Sequence, residues 1–303
     1  MSTYGYTPQA AARQLVTQRT STIGLILPDN AYHLFGNPIF ALIGQGISQI
    51  CAQRGYISML FLGRQDMEEQ TLFNLLRGRH FDGIVLISSD SNDPIPVFLQ
   101  DAGIPYVRIG HDPNRQNEHY VDVDNVEAAR IAVSHLIALG HRRIAMLKGL
   151  LKDNCVHERY EGYKRALSEA GIPFDPDLVG QGDWSAASGY VNTRRFLQLE
   201  EPPTALFSSN DMMVAGVVHA AQNLGLEVPD DLAIVGFDDL PQTTMIYPEL
   251  TTIRQPCVEL GVRATELLIK QLENEHCKPE HIIVPTDLII RQSCGFKRQS
   301  AVH

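Results

Sequence analysis

The stretch Asp124-Asn125-Val126-Glu127-Ala128-Ala129-Arg130-Ile131-Ala132-Val133-Ser134-His135-Leu136-Ile137-Ala138-Leu139-Gly140-His141-Arg142-Arg143-Ile144-Ala145-Met146-Leu147 decides the fold class. Ala128, Ala132, Leu136 and Leu139 form one apolar stripe at helical spacing, Asp124 or Asn125 supplies the N-cap, and Gly140 stops the helix. Just beyond, Ile144–Leu147 is a short apolar run that reads as a buried strand. A helix handing over to a buried strand within a few residues is the unit of a parallel sheet with crossover helices.

The unit recurs in both directions. Strand candidates are Ile23–Leu27, Ile57–Leu62, Gly83–Ile87 and Tyr106–Ile109 before it, and Leu178–Gly182, Ala205–Ser208 and Leu232–Gly236 after it. Asn37 and Pro38 open a helix with Phe40, Ile43, Ile47 and Ile50 on one face; another runs from about His157 to Ala170 and stops at Gly171. Two such series follow one another, separated near Val121 to Asp124, with no close sequence repeat. Pro256 begins a further helix carrying Leu260, Ala264, Leu267 and Leu268, and a strand-like run from His281 to Arg291 follows. Too small for a domain, this tail is expected to return and complete the earlier sheets, joining the lobes by several crossings.

A chain of 303 residues suits two such lobes. It has no apolar run near the ~18 residues of a membrane span and no signal-peptide core at its start, so a cytoplasmic protein is expected. The five scattered cysteines lack a C-x-x-C pair and argue against a disulfide framework or a structural zinc. No other metal and no cofactor is expected; His276-Cys277 with His281 reads as a surface loop. A net charge of −10 is wrong for an autonomous nucleic-acid-binding domain, yet no acid precedes Asp29, while Arg13 and Arg19 lie in that stretch.

Open parallel sheets bind ligands beyond the carboxyl ends of their strands. Ser208-Ser209-Asn210-Asp211, Phe237-Asp238-Asp239 and Gly182-Asp183-Trp184-Ser185 stand at such ends, although Asp211 and Asp239 could equally cap the next helix. No G-x-G-x-x-G follows the first strand and no G-x-S-x-G elbow occurs, which argues against an enzyme.

An ordered series of motifs resembles the lactose/galactose-repressor (LacI/GalR-type) family of transcriptional regulators. It comprises Tyr6-Thr7-Pro8-Gln9-Ala10-Ala11-Ala12-Arg13-Gln14-Leu15, Thr22-Ile23-Gly24-Leu25-Ile26, Leu139-Gly140-His141-Arg142-Arg143-Ile144-Ala145, Arg159-Tyr160-Glu161-Gly162-Tyr163, Ser209-Asn210-Asp211, Val235-Gly236-Phe237-Asp238-Asp239 and Leu250-Thr251-Thr252-Ile253-Arg254-Gln255-Pro256. The resemblance implies a two-lobed, periplasmic-binding-protein-like α/β fold. Its N-terminal lobe would take residues 21–121 plus 255–286 and its C-terminal lobe 122–254 plus 287–296, after a hinge segment 1–20 and before a tail 297–303. It also implies a sugar effector gripped by Arg159, Asn210 and Asp238. A guanidinium fork, an amide and a carboxylate supply the donors and acceptors that vicinal hydroxyls need. For Arg159 the alternative is a salt bridge with Glu158 or Glu161 on its own helix.

Trp184, the sole tryptophan, offers an indole face to a pyranose, and Gln255, Asn37 and Phe35 complete the expected effector set. Gly110 stands where the lactose-sensing member has an aspartate; Ile109-Gly110-His111 is instead similar to members that sense maltose-like or glucoside sugars. His111 is expected to be a solvated loop histidine. In the hinge, Leu15 would enter the DNA minor groove, Ala11 and Ala12 would pack against a symmetry mate, and Arg13 lies in the same helix. The family's helix-turn-helix headpiece needs roughly fifty residues ahead of the hinge, so this chain alone is expected to bind operator DNA poorly. A homodimer is expected, with a periplasmic-type sugar receptor of a transport system as the alternative function.

Overall fold

The computed structural model describes residues 19–27, 36–62, 69–78, 80–241, 245, 247–274 and 277–296. The hinge residues Ala11, Ala12, Arg13 and Leu15, and Phe35, lie outside the described residues.

The chain builds two six-stranded sheets. In the first, β1 (Thr22–Leu27) pairs in parallel with β2 (Ile57–Leu62) and β3 (Gly83–Ile87); β4 (Tyr106–Ile109), β5 (Tyr120–Val123) and β11 (His281–Val284) extend it beyond β3. The second has the order β12-β10-β9-β8-β6-β7, from β6 (Ile144–Lys148), β7 (Val179–Gln181), β8 (Ala205–Ser208), β9 (Ala233–Asp238), β10 (Thr251–Arg254) and β12 (Asp287–Ile289). Among the described strands only β12 runs antiparallel, against β10. All six residues of β1 and of β9 are buried, as expected of central strands covered on both faces.

The helices carry the stop and start signals of their sequences. Asn37 caps α1 (Pro38–Arg54), its Oδ1 accepting from the Ile39 N–H at 3.2 Å, and Gly55 ends it at φ 75°. Two short helices, α2 (Glu69–Arg77) and α3 (Ile95–Asp101), complete the first series. Asp124 caps α4 (Asn125–Ala138), and α5 (Asn154–Glu169) begins about a turn earlier than its apolar stripe suggests. They are followed by α6 (Ala186–Phe196), α7 (Asp211–Asn223) and α8 (Cys257–Glu273).

Helix α8 belongs to the first sheet although it follows the strands of the second: Cys257, Leu260, Ala264, Leu267 and Leu268 share a core with Ile43, Ile47 and Ile50 of α1. The two helices meet at glycines. A Cβ on Gly46 would collide with the Val258 carbonyl, and one on Gly261 with that of Ile43. The chain therefore passes between sheets after β5, after β10 and again between β11 and β12. The run from His281 to Arg291 is thus two strands in two different sheets. Tyr120–Val123 keeps Asp122 and Val123 in the first sheet, two residues past position 121.

Candidate functional site

The carboxyl ends of both sheets face one cavity of about 190 Å³ between the lobes. The first lobe lines it with Asn37 and Phe40 at the start of α1, Ser88 after β3, Gly110 after β4, and Asp122. The second contributes Asn125, Asp153, Cys155, Arg159, Trp184, Asn210 and Asp238, and Gln255 lines it from the crossing between β10 and α8. Six of the seven residues expected to meet an effector, all but Phe35, thus surround one space: Arg159, Asn210, Asp238, Trp184, Gln255 and Asn37.

Arg159 projects from α5 and is 5% exposed. Its Nε donates to Asn125 Oδ1 at 2.9 Å, Nη1 to the Ser209 carbonyl, and Nη2 to Gln255 Oε1 at 3.2 Å. The guanidinium carbon lies 3.5 Å from the centroid of the Phe237 ring, so its flat face is covered. Arg159 therefore forms no salt bridge with Glu158 or Glu161; Glu161 pairs with Lys164 instead.

Asp238 is the last residue of β9, at φ 118°, and is 4% exposed. Burial pushes its carboxyl up to about 7, and Arg159 opposes that shift. Asp211 is also raised, by burial and then by the charge of Asp238. Its oxygens are occupied inside the lobe, accepting from Thr252 Oγ1 at 2.7 Å and from the Leu240 N–H at 3.1 Å. The N-cap of α7 is Asn210: its Oδ1 accepts from the Met213 N–H at 3.0 Å and its Nδ2 donates to the Trp184 carbonyl at 3.2 Å. Asp239 forms ion pairs with Arg254 at 2.8 Å and Arg291 at 2.6 Å. Asp211 is not a helix cap but the first residue of α7, and of the four polar residues Asn210 and Asp238 line the cavity.

Trp184 adopts φ 71° and donates from Nε1 to Asp153 Oδ2 at 2.9 Å. Its ring lies so close to Gly149 that a Cβ there would overlap it. Gly110 has φ 92°, and a Cβ would come within 2.8 Å of the Ser88 carbonyl, so an aspartate could not stand there without moving the strand end. His111 is not a solvated loop residue: its ring nitrogens face Asp122 at 2.8 Å and Glu158 at 3.0 Å, because β4 delivers it to the seam between lobes. The lobes also touch through backbone, the Asn154 N–H donating to the Ser89 carbonyl at 2.8 Å beside a bridge between Asp90 and Asp153.

Sequence reasoning missed Asp122, Asp153 and the role of Asn125. Asp122 sits in a strand too short to announce itself, and Asn125 was legible only as an alternative cap. Asp153 precedes α5 without a motif.

The periplasmic binding protein-like domain family matches residues 133–294. Over 95% of this chain, the HTH-type transcriptional regulator CelR of Thermobifida fusca is 36% identical, and the match covers 86% of that protein. A solved complex of the transcriptional regulator CelR with cellobiose has a TM-score of 0.87 at 32% identity, covering 95% of this chain and 92% of that one. A LacI family transcriptional regulator from Enterococcus faecium with bound ribose has a TM-score of 0.78 at 28% identity, covering 90% and 98%.

Proposed function

Because the chain belongs to the LacI family of transcriptional regulators, we propose that the cavity between its lobes binds a sugar effector and that this binding controls operator DNA. The relatives are regulators and not enzymes. The observation that carries the reading is the convergence of Arg159, Asn210, Asp238 and Trp184 on one space closed by the other lobe. Arg159 and Gln255 offer donors, Asp238 an acceptor, and the indole an apolar face. Desolvated groups of this kind reject a sugar lacking the matching hydroxyl at ~1–3 kcal/mol each.

The effector class we propose is a glucoside oligosaccharide, with cellobiose first. Gly110, at φ 92° with the Ser88 carbonyl beside it, brings no carboxylate into the cavity, and cellobiose is what the similar CelR structure holds. A homodimer is proposed on the exposed apolar surface at the edge strand β2, where Ile57, Met59 and Leu60 face outward, and at Met245 and Tyr247 of the second lobe. An edge strand with outward apolar side chains invites a partner. DNA contact is assigned to the hinge, with Leu15 as the wedge and Ala11, Ala12 and Arg13 beside it. Among the described residues no helix is long and apolar enough to cross a membrane, in keeping with a cytoplasmic regulator.

Titration of Trp184 fluorescence with cellobiose, maltose, ribose and glucose tests the reading. Saturable binding of a glucoside without its turnover, abolished in Arg159→Ala with the far-UV spectrum unchanged, is the expected result. An Arg159→Ala titration curve identical to that of the parent would remove Arg159 from the site, and binding of none of the sugars would overturn the effector class.

A further inference from the structure

His111 does not line the cavity, yet it occupies the seam between the lobes. Its Nδ1 lies 2.8 Å from Asp122 Oδ2 in its own lobe, and its Nε2 lies 3.0 Å from Glu158 Oε1 on α5 of the other. Ionised carboxylate oxygens only accept, so the imidazolium, which donates from both nitrogens, is the form of the ring that satisfies both partners. The three side chains are half-withdrawn from solvent, at 19%, 12% and 20% exposure. They are near enough to suggest a cation site. However, the two ring nitrogens point to carboxylates on opposite sides, and a metal could take only one of them, whereas a proton serves both. Tyr120 stacks on the imidazole at 5.1 Å between centroids, with His281 stacked on Tyr120 in turn at 4.2 Å.

The second oxygen of Glu158 continues the chain of contacts. Glu158 Oε2 accepts from Asn125 Nδ2 at 3.0 Å, and Asn125 Oδ1 accepts from Arg159 Nε at 2.9 Å. Three hydrogen bonds thus run from a first-lobe histidine to the guanidinium at the cavity wall.

We infer that His111 is a positioning residue: as a cation shared between Asp122 and Glu158 it holds the lobes together and, through Glu158 and Asn125, fixes the guanidinium of Arg159 for the ligand. Its effect on affinity rests on the sugar-binding reading; the bridge itself does not.

The bridge has a pH signature. The hydrogen bonds to Asp122 and Glu158 push the imidazole up to about 10 against the opposing effect of burial. Opening the lobes removes Glu158 and leaves Asp122, so the open form holds the proton less tightly. The contribution to closure is therefore complete below the open-form value and is lost as pH rises through about 10. The charged or titratable groups facing the ring are Asp122, Glu158 and Tyr120, with His281 behind Tyr120 and Arg159 behind Asn125. In the cavity Asp238 changes charge near 7, and burial raises the Cys155 thiol to about 12, so the window from pH 8 to 10 belongs to the bridge.

The test measures cellobiose affinity at pH 8, 9 and 10 for the parent, His111→Gln and Glu158→Gln, and follows the histidine Cε1–H resonances by NMR without sugar. The parent should bind roughly tenfold more tightly than either variant at pH 8 and lose most of that advantage by pH 10, both variants staying flat, a slope of at most about tenfold per pH unit for one proton. A His111 resonance titrating far above the ordinary 6.5 in the parent, and shifted down in Glu158→Gln, is expected with it. Parent affinity that is constant over this window, or matched by His111→Gln at pH 8, would overturn the positioning role while leaving the sugar site standing. If the parent binds no cellobiose, the resonance decides the bridge alone: a parent His111 titrating near 6.5 would end it.

Discussion

Replacing Asp238 by Asn separates what the buried carboxylate does for binding from what it does to stability. Asp238 is 4% exposed, with Asp211 as a second buried acid near it. The folded chain holds the Asp238 proton up to about 7, whereas a free aspartate releases it near 3.8. A group raised on folding binds its proton more tightly in the native than in the unfolded state. Stability is therefore undiminished below about 4, falls as pH rises toward 7, and stays lower by a constant amount above that. At about 1.4 kcal/mol per tenfold, the gap amounts to roughly 4 kcal/mol, an appreciable share of a typical ~5–15 kcal/mol domain stability. Asparagine resembles the neutral acid in shape, tolerates the positive φ of this position and cannot ionise. The variant should escape most of that loss, less whatever Arg159 forfeits with its anionic neighbour. Urea unfolding followed by far-UV circular dichroism at pH 5 and pH 8 gives the readout. The parent midpoint should fall between the two, that of Asp238→Asn should fall less, by what the burial of Asp211 alone contributes, and the variant should be the more stable at pH 8 while binding cellobiose at least about tenfold more weakly. Parallel pH dependences, or a variant less stable than the parent at pH 8, would refute the account of Asp238 as a charge kept buried for the ligand.

Arg159→Lys should behave almost as an alanine variant in cellobiose titrations, losing at least about tenfold in affinity, because one ammonium cannot reach Asn125, the Ser209 carbonyl and Gln255 as the fork does. Glu118→Gln should lower stability by about 3–5 kcal/mol in urea titrations, since Arg108 is fully buried with Glu118 as its ion partner at 3.4 Å and would keep an uncompensated charge. Gly261→Ala should cost about 1–3 kcal/mol by the same measurement, because the new methyl group forces α8 away from the Ile43 carbonyl of α1.

The sequence made the α/β alternation legible because apolar period and capping chemistry agree locally. Asn37 and Asp124 cap where their residue types predict, and Gly55 and Gly140 take positive φ at helix ends. The site was legible to the extent that its residues sit at or just beyond strand ends, as Asn210, Asp238 and Trp184 do. What escaped depends on tertiary pairing. Nothing in Ile109-Gly110-His111 announces that a glutamate from a later helix will meet the histidine, and the run from His281 gives no sign that it changes sheets between Val284 and Asp287. Asp211 and Asp239 carry the same local signature as Asn210, yet their oxygens are taken by Thr252, Arg254 and Arg291, all of them contributed by the last strands of the second lobe or the segment after them.

For cleft chemistry to reach DNA, the hinge must be tied to one lobe and not to both. The described chain begins with an attachment to the first lobe. Asp82 accepts from the Thr20 N–H at 2.6 Å, the Thr20 hydroxyl at 2.8 Å and the Ser21 N–H at 2.9 Å, while Arg19 donates to the Leu272 carbonyl at the end of α8. All these partners belong to the first lobe. Arg159, Asn210, Trp184 and Asp238 belong to the second, and the first reaches them through Gly110, Asn37 and the His111 bridge. A ligand that draws the lobes together at the proposed site would therefore reorient the lobe that continues into the proposed hinge relative to the one carrying most of the proposed ligand contacts. If second lobes anchor the proposed dimer through the surface around Tyr247, that rotation alters the separation of two hinges. The ligand can bias it only by its differential affinity for the two arrangements, typically ~1–3 kcal/mol. A relay of three hydrogen bonds from His111 to Arg159 is one physical place where that difference can reside, because it forms only when the lobes are together.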